Sequence, residues 1–235
     1  MPVPFLRLFS EVLLLLLVGG FWYGTHRAEQ YEAQRRGEAA KLYRASLLLD
    51  DLVRAELAFR EANVVDEDHD GKGEFAFASE LLGERPPRGQ TECVKTFAIE
   101  GLTLHARTGF VDAGDYFLTV YLPGRGGEGA ILDPSILGAY GPDLVNPDEA
   151  ETTLIACAWP RRGDWKVFVP PPTFVATAAR QIYWCAPRVP YVGRRRPAPA
   201  AAWPPDLPWD ASPGGVGRDG ERWFDLEDAQ PIARQ

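Results

Sequence analysis

Apolar positions follow three different patterns along the chain. Near the amino terminus they are continuous: Val12 to Thr25 carries no charge, and Leu13 to Leu17 is an unbroken leucine block. From Thr25 to about Ala62 they become periodic. Ala45, Leu48, Leu49, Leu52, Ala55 and Phe59 recur at helical spacing, in a stretch with no proline and a single glycine, Gly37. That spacing predicts one helix with an apolar stripe on one face. Its earlier part, Arg27 to Lys41, is mostly polar and reads as a solvated stalk or a surface for a partner helix. Further on, short runs rich in aromatic and β-branched residues predict strands. These are Val94 to Ile99, Leu102 to Ala106, Tyr116 to Tyr121, Glu151 to Ala158, Trp165 to Val169 and a last one near Gln181 to Cys185. Together they predict an antiparallel meander packed on the long helix, an α+β fold.

The first segment is the clearest hint of location. A bilayer span needs about 20 apolar residues. Extending the run back to Phe5 reaches that length and takes in Arg7, which can snorkel, and Glu11, which is costly in a membrane helix. A cleaved signal peptide would need small residues at its cut site. Here Phe21, Trp22 and Tyr23 follow instead, and such a trio suits an interfacial belt. The expectation is a single-pass inner-membrane anchor in contact with lipid, with the globular part in the periplasm or outside the cell. The chain then divides into an anchor (1–25), a helical stalk and sheet-packing helix (26–62), a β-rich domain (63–185) and a Pro/Gly/Trp-rich extension (186–235). Trp203, Trp209 and Trp223 offer to pin that extension to the domain.

Charge narrows the function. The 235 residues carry a net charge of -8, which disfavours nucleic acid as a partner. No nucleophile elbow, HExxH or phosphate loop is present, so the chain reads as a non-enzyme. Gly215, Gly217 and Gly220 fit G-x-G-x-x-G in letter only, with neither a strand before them nor a helix after. Cys93, Cys157 and Cys185 form no zinc pattern; one disulfide with a free thiol, or buried thiols, both fit.

One segment carries metal chemistry. Asp66, Asp68 and Asp70 alternate, Gly71 follows directly, and Glu74 stands at the ninth position of a calcium loop. Alternating carboxylates can converge on one hard cation, and the glycine permits the sharp turn. The twelfth position holds Phe77 rather than glutamate, so the pattern is incomplete. A Ca²⁺ site of Asp66, Asp68, Asp70 and Glu74 and a plain polar turn ending the helix both remain open.

The order of these pieces resembles the type IV pilin and type II secretion pseudopilin class. The stretches Phe59 to Asn63, Asp66 to Glu74, Tyr116 to Gly124, Ala150-Glu151 and Ala158 to Pro160 are similar to a group of uncharacterised pilin-like bacterial proteins. The resemblance implies a pilin-like fold, Glu11 as an assembly residue, and other pilin-like subunits as partners. Leu6 and Arg7 depart from the pilin cleavage pattern, which implies an uncleaved chain. The function this implies is a membrane-anchored structural or assembly component of the envelope. The alternative is a tethered binding module that uses the calcium loop or the Trp-rich tail.

Overall fold

The computed structural model describes residues 3–94, 97, 99–106, 108–125, 130–132, 144–168, 170–205 and 212–227. For residues 3–22 and 130–132 the description stops at the backbone. Helix α1 runs Val3–Glu61, ending one residue from the predicted boundary. The chain divides within it into two compact units, Met1–Ala40 and Lys41–Gln235.

In the first unit, α1 from Tyr23 to Ala33 is exposed throughout. Pairs one turn apart stitch it: Arg27 lies 5.2 Å over the Tyr23 ring, Gln30 meets His26 at 3.0 Å, and Gln34 donates to Glu38 at 3.0 Å. Such pairs each support a helix by a few tenths of a kcal/mol, about 0.2–0.5.

The expectation of a single-pass inner-membrane protein is overturned. Among the described residues, no helix is long and apolar enough to cross a membrane. The reason is visible from Tyr23 onward, where Arg27, Glu29, Glu32, Arg35, Arg36 and Glu38 place a charge on nearly every turn. A lipid interior offers such groups no partner. The side chains of the leucine block and of Glu11 lie outside the described residues.

In the second unit, α1 packs on an antiparallel sheet, so the α+β reading holds. The strands are β1 (Thr103–Leu104), β2 (Val111–Asp112), β3 (Tyr116–Pro123), β4 (Ala130–Leu132), β5 (Ile155–Pro160), β6 (Thr173–Thr177), β7 (Ile182–Cys185), β8 (Gly215–Val216) and β9 (Arg222–Asp225). Their order is β1-β2-β3-β5-β6-β7-β9-β8, with β4 also paired to β3. Every pairing is antiparallel. Among the described residues, two short helices, α2 (Ala78–Leu81) and α3 (Pro147–Ala150), lie in the connections.

Alternation sorts the sheet residues onto two buried faces. One face, with Leu118, Val120, Leu122, Ala156, Ala158 and Phe174, meets Ala45, Leu49, Leu52, Val53 and Phe59 of α1. The opposite face carries Phe117, Tyr121, Cys157, Trp159, Val175 and Tyr183, and is covered by Ala201, Ala202, Trp203 and Trp223. This explains why every residue of β3 and β5 is buried. Tyr121 Oη donates to the Pro197 carbonyl at 2.8 Å, and Trp159 Nε1 to the Gly193 carbonyl at 2.8 Å. Residues 193–203 thus become a second wall of the core, although they form no helix or strand. Trp203 and Trp223 perform the expected pinning; Trp209 lies outside the described residues. Gly217 seals the joint. A Cβ there would fall 1.9 Å from the Ala201 carbonyl oxygen.

Some local expectations change. Residues 165–168 are not a strand: Trp165 leaves the sheet and packs edge-on against Tyr116, at 5.8 Å between ring centroids. The return strand is β6, further along. The glycines of the literal G-x-G-x-x-G form the β8–β9 hairpin, with Gly217 N–H donating to the Glu221 carbonyl at 2.9 Å. All three cysteines are free thiols. Cys157 and Cys185 are buried and Cys93 is exposed.

Candidate metal centre

The acidic segment begins where α1 stops. Asn63 takes a left-handed backbone, φ 50°, and its N–H caps the helix on the Arg60 carbonyl at 2.9 Å. Val65 then turns inward, and its carbonyl accepts the Glu74 N–H at 2.9 Å. Residues 66–73 therefore form a loop closed at its base. Gly71 has φ +88°, a backbone that glycine adopts freely. Gly73 lies so close to the end of α1 that a Cβ would fall 1.9 Å from the Arg60 carbonyl oxygen.

Carboxylates fold this loop through its own amides. The Gly71 N–H donates to Asp66 Oδ2 at 3.2 Å, the Asp70 N–H to Asp68 Oδ1 at 3.1 Å, and the Lys72 N–H to Asp70 Oδ1 at 2.8 Å. The three aspartates are thereby turned toward one another. Each offers one oxygen, and these lie within 4.8 Å of one another. Oxygens sharing one Ca²⁺ at about 2.3–2.6 Å can be at most about 5 Å apart, so the spacing fits. Asp66 Oδ1 is buried without a hydrogen-bond partner. A buried carboxylate oxygen left unpaired is costly, and a cation would satisfy it.

A second group shares Asp68. Asp148 and Glu151, at α3, bring oxygens to within the same 4.8 Å of it. Lys72 Nζ binds Asp70 and reaches Glu151 Oε2 at 3.1 Å. These two carboxylates raise the Lys72 ammonium above its ordinary value, and the same bond holds Asp70 below the usual carboxylate range. Lys72 thus ties one acid of each group together, Asp70 of the first and Glu151 of the second. The donors are all oxygen, which suits a hard cation rather than zinc or copper. His69 is exposed, with φ 61°.

Glu74 lies elsewhere. It is buried, with Oε1 accepting the Glu67 N–H at 2.6 Å and Oε2 meeting Arg88 Nη1 at 3.1 Å. Arg88 also faces Glu67 at 3.5 Å and Glu80 at 3.4 Å. Burial raises Glu74 above its ordinary value, against the opposing pull of the Glu67 amide and Arg88. So the structure brings Asp66, Asp68 and Asp70 together and turns Glu74 toward an internal arginine. Sequence reasoning missed Asp148 and Glu151. The only available signal was the acidic run Asp148-Glu-Ala-Glu151 itself, and nothing local pairs it with a loop some 80 residues earlier.

Comparisons with known proteins place the chain beside none: no family model matches it, and neither does any curated protein or solved structure.

Proposed function

We propose that the chain is a non-catalytic structural or assembly component of pilin-like architecture, whose acidic loop takes a structural calcium ion. The observation carrying the calcium reading is the convergence of Asp66, Asp68 and Asp70, with a buried and unpaired oxygen on Asp66. Asp148 and Glu151 stand ready as the outer ligands on the Asp68 side. Bound there, the ion would neutralise a crowded acidic patch and tie the loop after α1 to α3.

Two features support the assembly reading. A long helix laid on an antiparallel sheet is the layout of the pilin class. Moreover, α1 is exposed from Tyr23 to Ala33, with Tyr23 at 57% and Tyr31 at 54%. A helix with no tertiary cover gains little from propensity alone, and association with other subunits would supply the missing packing. Glu11 is the proposed pairing group. The tail is a poorer candidate for ligand capture, since Trp203 and Trp223 are already spent in the core.

Cross-linking of the full chain tests assembly: oligomers should form and diminish in Glu11→Ala. Monomer alone, unchanged by that substitution, would overturn this reading without touching the calcium site.

A further inference from the structure

Between Lys41 and Glu61, α1 buries a single acid. Glu56 lies four residues after Leu52 and three before Phe59, and it is 0% exposed. Its Oε2 accepts the Ala76 N–H at 2.9 Å. Its Oε1 is buried and has no hydrogen-bond partner among the described residues. In the segment facing it, residues 74–90, positions 74–83 are all buried. Phe75, Ala76, Phe77 and Leu81 are in the core, and Glu80 accepts the N–H groups of Phe77 and Arg88, both at 2.8 Å. The charged groups facing Glu56 from that segment are Glu80 and Arg88. Arg88 is already shared among Glu67, Glu74 and Glu80. Three carboxylates therefore share one guanidinium, and Glu56, more deeply buried than any of them, feels Arg88 only at longer range.

We propose that Glu56 is the proton-binding group of a pH-sensitive joint between α1 and residues 74–90, closed while Glu56 carries a proton and loosened when it ionises. As a neutral acid, Glu56 keeps the Ala76 hydrogen bond and places no bare charge in the core. As a carboxylate it must regain water, and the short route is opening of the seam at Ala76. Burial is the main cause of a shift that pushes Glu56 up to about 8, with the Glu80 charge adding to it and the Ala76 amide and Arg88 opposing. The sign follows. The folded protein holds this proton at pH values where the unfolded chain, near 4.5, has lost it. The stabilisation is full below that lower value, declines as pH rises between the two, and is gone above the higher one. The joint depends on no metal ion, so it stands or falls separately from the calcium loop.

Three measurements on the full chain test the joint. Carboxyl NMR should find Glu56 titrating far above the ordinary glutamate range, and lower in Glu80→Gln, where a neighbouring negative charge is gone. Urea unfolding should show the midpoint of Glu56→Gln rising relative to the unsubstituted protein as pH goes from about 5 to about 8, then levelling. Hydrogen-exchange protection at Ala76, corrected for intrinsic rate, should fall over the same range and stay flat in Glu56→Gln. Titration of Glu56 in the ordinary range, or parallel midpoint profiles for the two proteins, would overturn the proposal. If Glu56→Gln fails to fold, the NMR titration and the Ala76 exchange decide it alone.

Discussion

Two acidic regions meet at the loop after α1, and they solve the same problem in opposite ways. On the outer side, Asp66, Asp68, Asp70, Asp148 and Glu151 form two groups that share Asp68, and one exposed lysine bridges Asp70 to Glu151. On the inner side, Glu56, Glu67, Glu74 and Glu80 gather in the interior around Arg88. Most of the outer set is open to water, which screens its charge; Asp66 Oδ1 is the buried exception that a cation would satisfy. The inner set has little water and must be neutralised within the fold, by the guanidinium and, at Glu56, by a proton. Residue type therefore does not decide whether an acid is a ligand or a structural joint; solvent access and the nearest permanent cation do. Glu74 shows this best. It holds a ligand position in the loop pattern, yet its oxygens are taken by the Glu67 amide and Arg88.

The largest break in this contrast should come from Arg88→Met. It leaves buried carboxylates without their cation, a change that costs about 3–5 kcal/mol in comparable settings. Urea unfolding would measure it. The loss should shrink toward acidic pH, because the stranded acids can then take up protons. A loss independent of pH would mean that the arginine acts through packing, for instance over the Phe77 ring at 5.5 Å. Gly73→Ala comes next. Its new methyl group meets the Arg60 carbonyl oxygen, and overpacking of this kind costs about 1–3 kcal/mol. A thermal melt should fall accordingly, and the calcium response should weaken with it, because the loop is displaced. Lys72→Gln should have the smallest effect on folding, since its ammonium is exposed and screened by water and salt. It should nevertheless strengthen calcium binding by removing a competing charge from Asp70 and Glu151. Calorimetric titration with Ca²⁺ reads that directly, and weaker binding in the variant would contradict the role given to Lys72.

The contrast was only half legible in the sequence. Periodicity gave α1 to within a residue of its end, and aromatic and β-branched runs located β3 and β5. The alternating aspartates announced the outer acidic set. Three things were hidden. Glu56 sits at helical spacing between Leu52 and Phe59, so position implies its burial, whereas glutamates in general are mostly exposed. Arg88 follows Pro86 and Pro87 in a stretch with no periodicity, where only the chain path can bring it to Glu67 and Glu74. The second wall of the core, residues 193–203, has no alternation because it forms no strand; its buried side chains are fixed by hydrogen bonds from Tyr121 and Trp159. Trp165 misled for the opposite reason. It has a strand-like sequence context, yet it serves as an aromatic lid on Tyr116.

The most direct test of the account is a pair of thermal melts of the full chain, with excess Ca²⁺ and with chelator. A ligand held by the native state alone must raise its stability, by about 2.7 kcal/mol at a hundredfold excess over Kd. The account predicts a higher Tm with Ca²⁺, and no such difference in Asp66→Asn. Superimposable melts of the unsubstituted protein with Ca²⁺ and with chelator would contradict it.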